Sequence, residues 1–181
     1  LIVDGSGWGE EKMGATEFRK HVSIALDNSG STHMPSTGYC AKAMQSVANS
    51  LLEVLHTASS QWNGITWDAY SFNRIANSHT GRRGKQERYE IARQALSQVV
   101  VRDPLRVDAI ETNLAPLLER MYETEKERGL IGSPRLDIIL TDGEFESQED
   151  ADQASEWQRL RGSNVNTYVL NLCPETPSEV T

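Results

Sequence analysis

Short apolar runs alternate along this chain with longer segments whose apolar positions recur every three or four residues. The first run, Val22-Ser23-Ile24-Ala25-Leu26, implies a strand from Phe18 to Leu26. A brief apolar run bounded by a polar turn is what a strand buried on both faces needs. Ile65 to Phe72, Leu136 to Leu140 and Asn166 to Leu172 predict three more strands, the first of these rich in β-branched and aromatic residues. Between them lie helical patterns. Residues 38–57 put Met44, Val47, Ala48, Leu51, Leu52 and Leu55 on one face, with Ser36 or Thr37 available as a cap. Residues 85–99 do the same with Tyr89, Ala92, Leu96 and Val99. Asn113 to Arg128 turns Leu114, Leu117, Leu118 and Met121 inward. It carries Pro116 in its first turn, where a missing N–H costs little, and stops at Gly129. Residues 148–161 predict a further helix with Ala151, Ala154, Trp157 and Leu160 inward. Residues 74–84 read as a polar turn or short edge hairpin, and 100–111 as a connection containing Pro104.

Alternation of buried strands with helices predicts an α/β fold: an open, mostly parallel, doubly wound sheet flanked by helices on both faces, of Rossmann-like character. The length, 181 residues, suits one domain. Residues 1–17 read as an irregular N-terminal arm, 18–173 as the folded domain and 174–181 as a polar C-terminal tail. No internal repeat or low-complexity tract interrupts this plan.

Composition narrows the function classes. Lys+Arg is 18 against 26 Asp+Glu, a net charge of −8, which disfavours binding nucleic acid by broad phosphate neutralisation. No apolar run reaches the roughly 18 residues of a membrane span. The first residues lack a basic flank followed by an apolar run, so no signal peptide is expected. Two cysteines, Cys40 and Cys173, make no disulfide framework and are expected to be separate buried thiols. Both points favour a cytoplasmic over an extracellular location. The four histidines are scattered, which argues against zinc.

The chemistry concentrates in Asp27-Asn28-Ser29-Gly30-Ser31, directly after the first strand. Ligands of open α/β sheets bind beyond the carboxyl ends of strands. Asp27, Ser29 and Ser31, spaced i, i+2, i+4, offer three side-chain oxygens that a tight loop can turn to one point. An oxygen-only set suits Mg²⁺, Mn²⁺ or Ca²⁺. The ordinary alternative is a capping turn, which Asp and Ser also favour. Thr141-Asp142-Gly143 follows another strand and brings Asp142 to the same edge, and Thr112 precedes a helix there. Thr112 is also placed to be that helix's N-cap.

These residues resemble the von Willebrand factor type A domains, which include the integrin inserted domains. The resemblance rests on Asp27-x-Ser29-x-Ser31, Thr112 and Asp142-Gly143 in that order, and covers about residues 18–172. It implies a metal-ion-dependent adhesion site. Ser29, Ser31 and Thr112 would coordinate directly, and Asp27 and Asp142 would act directly or through water. An open position would take an acidic side chain of a protein partner, with no catalysis by the domain itself. Two features depart from the family pattern. Ile110-Glu111 stands before Thr112 where members often carry glycines, and Glu144 and Glu146 follow Asp142-Gly143. Glu111, Glu144 and His33, which follows the first motif, are the residues expected to face a partner. The ordinary reading of Glu144 and Glu146, with Glu149, Asp150 and Asp152, is a solvated acidic face.

Two further readings stand beside this one. The domain could be a regulatory or scaffold subunit of an intracellular ATPase or stress-response complex. An RNA-associated domain of the same type is supported only by the basic cluster Arg82, Arg83, Lys85 and Arg88. Enzyme patterns fit poorly. Ser29 stands where a dehalogenase-type phosphatase needs a second Asp, and the last strand has no following Lys as a receiver domain would. Counted from Asp27, Thr32 and Gly38 occupy the EF-hand's required Gly and carboxylate positions. No nucleophile elbow or phosphate-binding loop is present.

Overall fold

The computed structural model describes residues 20–33, 40–80, 84–97, 112–143 and 147–172. Their order is β1 (Lys20–Asp27), a 3-10 turn (Ser31–His33), α1 (Ala41–Gln61), β2 (Ile65–Phe72), β3 (Ala76–Ser78), α2 (Lys85–Ser97), α3 (Ala115–Glu127), β4 (Arg135–Thr141), α4 (Gln148–Arg161) and β5 (Val165–Asn171). The sheet runs β3-β2-β1-β4-β5. β1, β2, β4 and β5 are parallel, and β3 turns back antiparallel on β2, as the edge-hairpin reading of 74–84 expects.

Side-chain alternation splits the core into two layers. Ile24, Leu26, Trp67, Ala69 and Leu140 face α1 and α2, meeting Met44, Ala48, Leu52, Ala92 and Leu96. Ala25, Tyr70, Phe72 and Ile139 face the opposite way, against Ala115, Leu117, Leu118 and Met121 of α3 and Ala154 of α4. Each large side chain buried in these layers contributes about 1.5–3 kcal/mol. The doubly wound plan is therefore realised.

α4 departs from expectation on its inner face. Ala154 is buried and Trp157 half-buried, but Ala151 and Leu160 are exposed. The buried positions beside Ala154 are polar: Asp150 and Arg161. α4 is held to the sheet largely by charge, which apolar periodicity does not register. α1 also starts later than expected, at Ala41, and Cys40 at its N-cap makes no side-chain cap bond. Ser36 and Thr37, the expected caps, and Val99 of the next helix lie outside the described residues. Cys40 corrects the expectation of free thiols, because it is disulfide-bonded. Cys173, the chain's other cysteine, lies outside the described residues.

At the amino ends of the strands a buried ionic network pins α3 and α4. Register places Asp68, Ser23 and Asp137 side by side across β2, β1 and β4. Arg161 reaches from the end of α4 to both Asp137 oxygens (2.7 and 3.0 Å) and to Glu125 of α3 (2.5 Å). Arg135 shares Glu125 at 2.5 Å. Asp68 takes Arg128 at 2.8 Å and has His21 at 3.1 Å.

Candidate metal centre

β1 and β4 lie side by side where the strand order reverses. Crevices at that reversal, beyond the carboxyl ends, are where open α/β sheets bind ligands. Asp27 closes β1 and Asp142 follows β4, so the two carboxylates meet at this point.

The loop after β1 is organised by Asp27 itself. One carboxylate oxygen accepts from the Ser29 backbone N–H at 2.8 Å, an Asx turn that reverses the chain. The other accepts from the Thr141 hydroxyl at 2.6 Å, which ties β1 to β4. The Thr32 hydroxyl donates to the Ser29 carbonyl at 2.8 Å and closes the following 3-10 turn. Ser29 and Ser31 hydroxyls then lie 2.9 Å apart, and Ser31 donates to the Asp142 carboxylate. The turn reading and the ligand reading of Asp27-x-Ser29-x-Ser31 thus describe one structure. The turn is what aims the hydroxyls.

The Asp142 side is built with equal economy. The Gly143 N–H donates to the Thr141 hydroxyl at 3.1 Å, and the Asn171 amide at the end of β5 donates to the Asp142 carbonyl at 3.1 Å. Gly143 adopts φ 85°, and a Cβ there would approach the Asn171 amide to 3.3 Å. Glycine answers both constraints.

Asp27 is 1% exposed. Burial pushes its carboxyl up to about 6; hydrogen bonds from Thr141 and Ser29 pull it back, and nearby Asp142 adds to the rise. No cationic side chain of the described residues is among these influences. The Asn28 side-chain oxygen is also buried without a hydrogen-bond partner. Among the described residues no group of three His, Cys, Asp or Glu is placed to hold a metal ion. The groups that do gather here are two carboxylates and two serine hydroxyls, all oxygen, a set of the kind a hard divalent cation takes. Ser29, Ser31, Asp142 and Asp27 are the groups that would hold it.

Thr112 stands outside this hydrogen-bonded set. It is buried, on the segment entering α3, and the neighbouring Asn113 N–H donates to the Asn73 carbonyl beyond β2 at 2.9 Å. It is not the N-cap of α3, a position Leu114 takes. Glu111, Glu144 and the His33 side chain lie outside the described residues. So do Arg82 and Arg83 of the basic cluster. Its other members are engaged: Lys85 donates to the Ser59 carbonyl, and Arg88 to the Trp67 carbonyl while lying over the Trp67 ring. Asp150 corrects the solvated acidic face, being buried with both oxygens on backbone N–H groups of α3. Thr141, Asn171 and Asp150 are the supporting residues that sequence reasoning passed over. Thr141 was signalled by its place beside Asp142, and Asp150 by its position three residues after Ser147. Asn171 carried no signal, because only strand pairing brings it near.

No family model matches the sequence, and no curated protein matches it. Solved structures do. A von Willebrand factor type A protein from Catenulispora acidiphila superposes with a TM-score of 0.57 at 16% identity, over 83% of this chain and 32% of that one. The manganese-loaded TRAP protein of Plasmodium vivax gives 0.56 at 21% identity, over 84% and 57%. Proximal thread matrix protein 1 of the mussel byssus, its MIDAS motif occupied by zinc, gives 0.54 at 14% identity, over 83% and 37%. This chain spans between about a third and just over half the length of these proteins. With strand order, helix placement and these superpositions in agreement, the chain adopts the von Willebrand factor type A fold.

Proposed function

We propose that this chain is a protein-binding module that docks an acidic side chain of its partner through a divalent cation, Mg²⁺ by preference and Mn²⁺ or Ca²⁺ in its place. The supporting observation is the hydrogen-bonded series Asp27, Ser29, Ser31 and Asp142 at the strand-order reversal. When bound, the cation would supply an electrophilic point for an outside carboxylate. Ser29 and Ser31 contribute neutral oxygens, so the ion keeps more of its charge than in an all-carboxylate cage. Thr141 holds Asp27 in place, and Asn171 and Gly143 hold the Asp142 backbone. Thr112 would add its hydroxyl, as the resemblance implies. His33, Glu111 and Glu144 are the residues proposed to meet the partner, the His33 side chain, Glu111 and Glu144 lying outside the described residues. The manganese of TRAP and the zinc of the byssus protein support a divalent ion on this fold.

The domain acts by docking and not by catalysis. Among the described residues no helix is long and apolar enough to cross a membrane. The disulfide of Cys40 favours an oxidising compartment, where such bonds persist, and so favours adhesion over the reading as an intracellular scaffold subunit.

Partner capture from a source lysate on immobilised domain tests this, run with Mg²⁺, with chelator and with Asp27→Ala. Retention of a protein by wild type with Mg²⁺ alone is expected. Retention indifferent to both metal and mutation would overturn the proposal and move the function to another surface.

A further inference from the structure

α3 begins without a cap of its own. Leu114 at its N-cap makes no side-chain bond, and Pro116 in the first turn has no N–H to offer. A helix start leaves its first N–H groups without intrahelical partners. Here they are met from another helix: one Asp150 oxygen accepts from Leu114 N–H at 2.8 Å and the other from Ala115 N–H at 2.9 Å.

The direction of Asp150 is unusual for its position. Ser147 caps α4 by accepting from the Asp150 N–H at 3.1 Å. In such a box, an acid three residues after the cap commonly turns back to the cap's own backbone N–H. Asp150 instead gives both oxygens to α3, where the positive end of the helix dipole also favours a carboxylate. It is 6% exposed, so water competes little for these bonds.

The consequence falls on the metal centre. Leu114 lies two residues after Thr112, and Ser147 five residues after Asp142. Asp150 therefore fastens the loop bearing Thr112 to the helix that follows Asp142. On its other side the Thr112 segment is held by the Asn113–Asn73 backbone bond. We propose that Asp150 is a positioning residue that clamps the Thr112 loop to α4, so that cation affinity depends on the seating of α4. The inference rests on the metal reading above.

Mn²⁺ binding, followed by the electron paramagnetic resonance signal of free Mn²⁺, tests it in wild type, Asp27→Ala, Thr112→Ala, Asp150→Asn and the double variant Thr112→Ala/Asp150→Asn. Asp150→Asn is expected to weaken Mn²⁺ about tenfold, the lower range for a residue that orients a metal ligand. The double variant is expected to bind no more weakly than the weaker single variant, because Asp150 acts through Thr112. Amide exchange at Leu114 and Ala115 should quicken in Asp150→Asn while β1 and β4 stay protected, which shows that the fold is kept. Asp150→Glu, retaining the charge on a longer arm, serves if Asp150→Asn does not fold, with an intermediate affinity expected. Mn²⁺ affinity within about twofold of wild type despite faster exchange would reduce Asp150 to an ordinary cap and overturn the clamp. Additive losses in the double variant would overturn it too. Equal Mn²⁺ binding by wild type and Asp27→Ala would instead overturn the metal reading, and the clamp with it.

Discussion

The two ends of this sheet bury carboxylates in opposite ways. At the amino ends of the strands, Asp68, Asp137 and Glu125 are each met by arginine: Arg128 on Asp68, Arg161 on Asp137, and Arg161 with Arg135 on Glu125. At the carboxyl ends Asp27 is buried as deeply, but its partners are a hydroxyl and a backbone N–H. Removing a carboxylate from water is costly, and the cost is recovered only with a matching charge. One end carries its countercharge within the chain. At the other, the described residues place no such countercharge beside Asp27. That contrast supports the proposed metal end at the carboxyl ends of the strands.

The largest effect should come from breaking the self-sufficient end. Arg161→Ala leaves Glu125 and Asp137 buried with part of their countercharge gone and unfastens α4 from α3 and the sheet. The expected loss is about 3–5 kcal/mol in urea denaturation, the range for removing one partner of a buried ion pair. Arg161→Met, which fills the space but leaves the acids unmatched, should recover little. A loss under about 1 kcal/mol, the scale of an exposed pair, would show that these charges are solvated and erase the contrast.

Acidity should separate the ends by sign. The Asp27 carboxyl sits at about 6 in the fold against 3.8 when free, so the fold binds its proton more tightly than the unfolded chain does. Its contribution is full below about pH 4 and disappears as pH rises through 6, a change of about 3 kcal/mol in metal-free protein at 1.36 kcal/mol per unit. Asp68 has the opposite sign. Burial pushes its carboxyl up, but His21 and Arg128 outweigh burial and hold it below 3.8. Its contribution is present above that value and is lost as pH falls through its lowered midpoint. Stability in chelator should therefore fall between pH 4 and 6 and also fall on further acidification below 4. Asp27→Asn should remove the first slope and leave the second. A profile in which Asp27→Asn changes nothing between pH 4 and 6 contradicts the account of the metal end.

Cation binding should act on one end alone. An ion that binds only the folded state adds about 2.7 kcal/mol at a hundred times its Kd. Mg²⁺ is expected to raise the melting midpoint of wild type and to leave Asp27→Ala and Asp142→Ala unmoved while both remain folded in chelator. Mg²⁺ should also be effective above pH 6, where Asp27 is ionised, and weak near pH 4. Equal stabilisation of all three proteins would place the ion elsewhere.

Much of this was legible in the chain, and the limit has a physical form. β2 and α4 have their expected bounds, Ile65–Phe72 and 148–161, because a continuous apolar run and a long helical stretch are strong local signals. The gathering of Asp27, Ser29 and Ser31 was legible because they share one short loop whose turn chemistry is local, and Asp142 because it directly follows a strong strand. Thr112 was proposed only through the family pattern, and the cap reading of it gives way to Leu114 at the N-cap. Asp150 and Arg161 were misread or missed because charge at a helical position reads as solvent-facing. Their burial depends on partners in α3, β4 and the end of the sheet that no local window contains. Cys40 follows the same rule, since a lone cysteine in a helix start gives no sign of a distant partner.

The smallest effect sharpens the comparison at the point where the metal end leans on the sheet. Asn171 at the end of β5 donates to the Asp142 carbonyl and stands against Gly143. Asn171→Ala removes the partly exposed hydrogen bond to the Asp142 carbonyl, a loss of about 0.5–1.5 kcal/mol in global stability for that bond. If the bond orients Asp142 toward the ion, Mg²⁺ affinity should fall as well, by about fivefold, which corresponds to roughly 1 kcal/mol. The mirror substitution at the other end is Thr167→Val, which removes the 3.1 Å bond from β5 to Asp137. It should cost similar stability and leave Mg²⁺ affinity untouched, because Arg161 still fixes Asp137. Isothermal titration of both variants reads the difference directly. Equal affinity in the two would mean that β5 merely flanks Asp142, and that its orientation is set without Asn171.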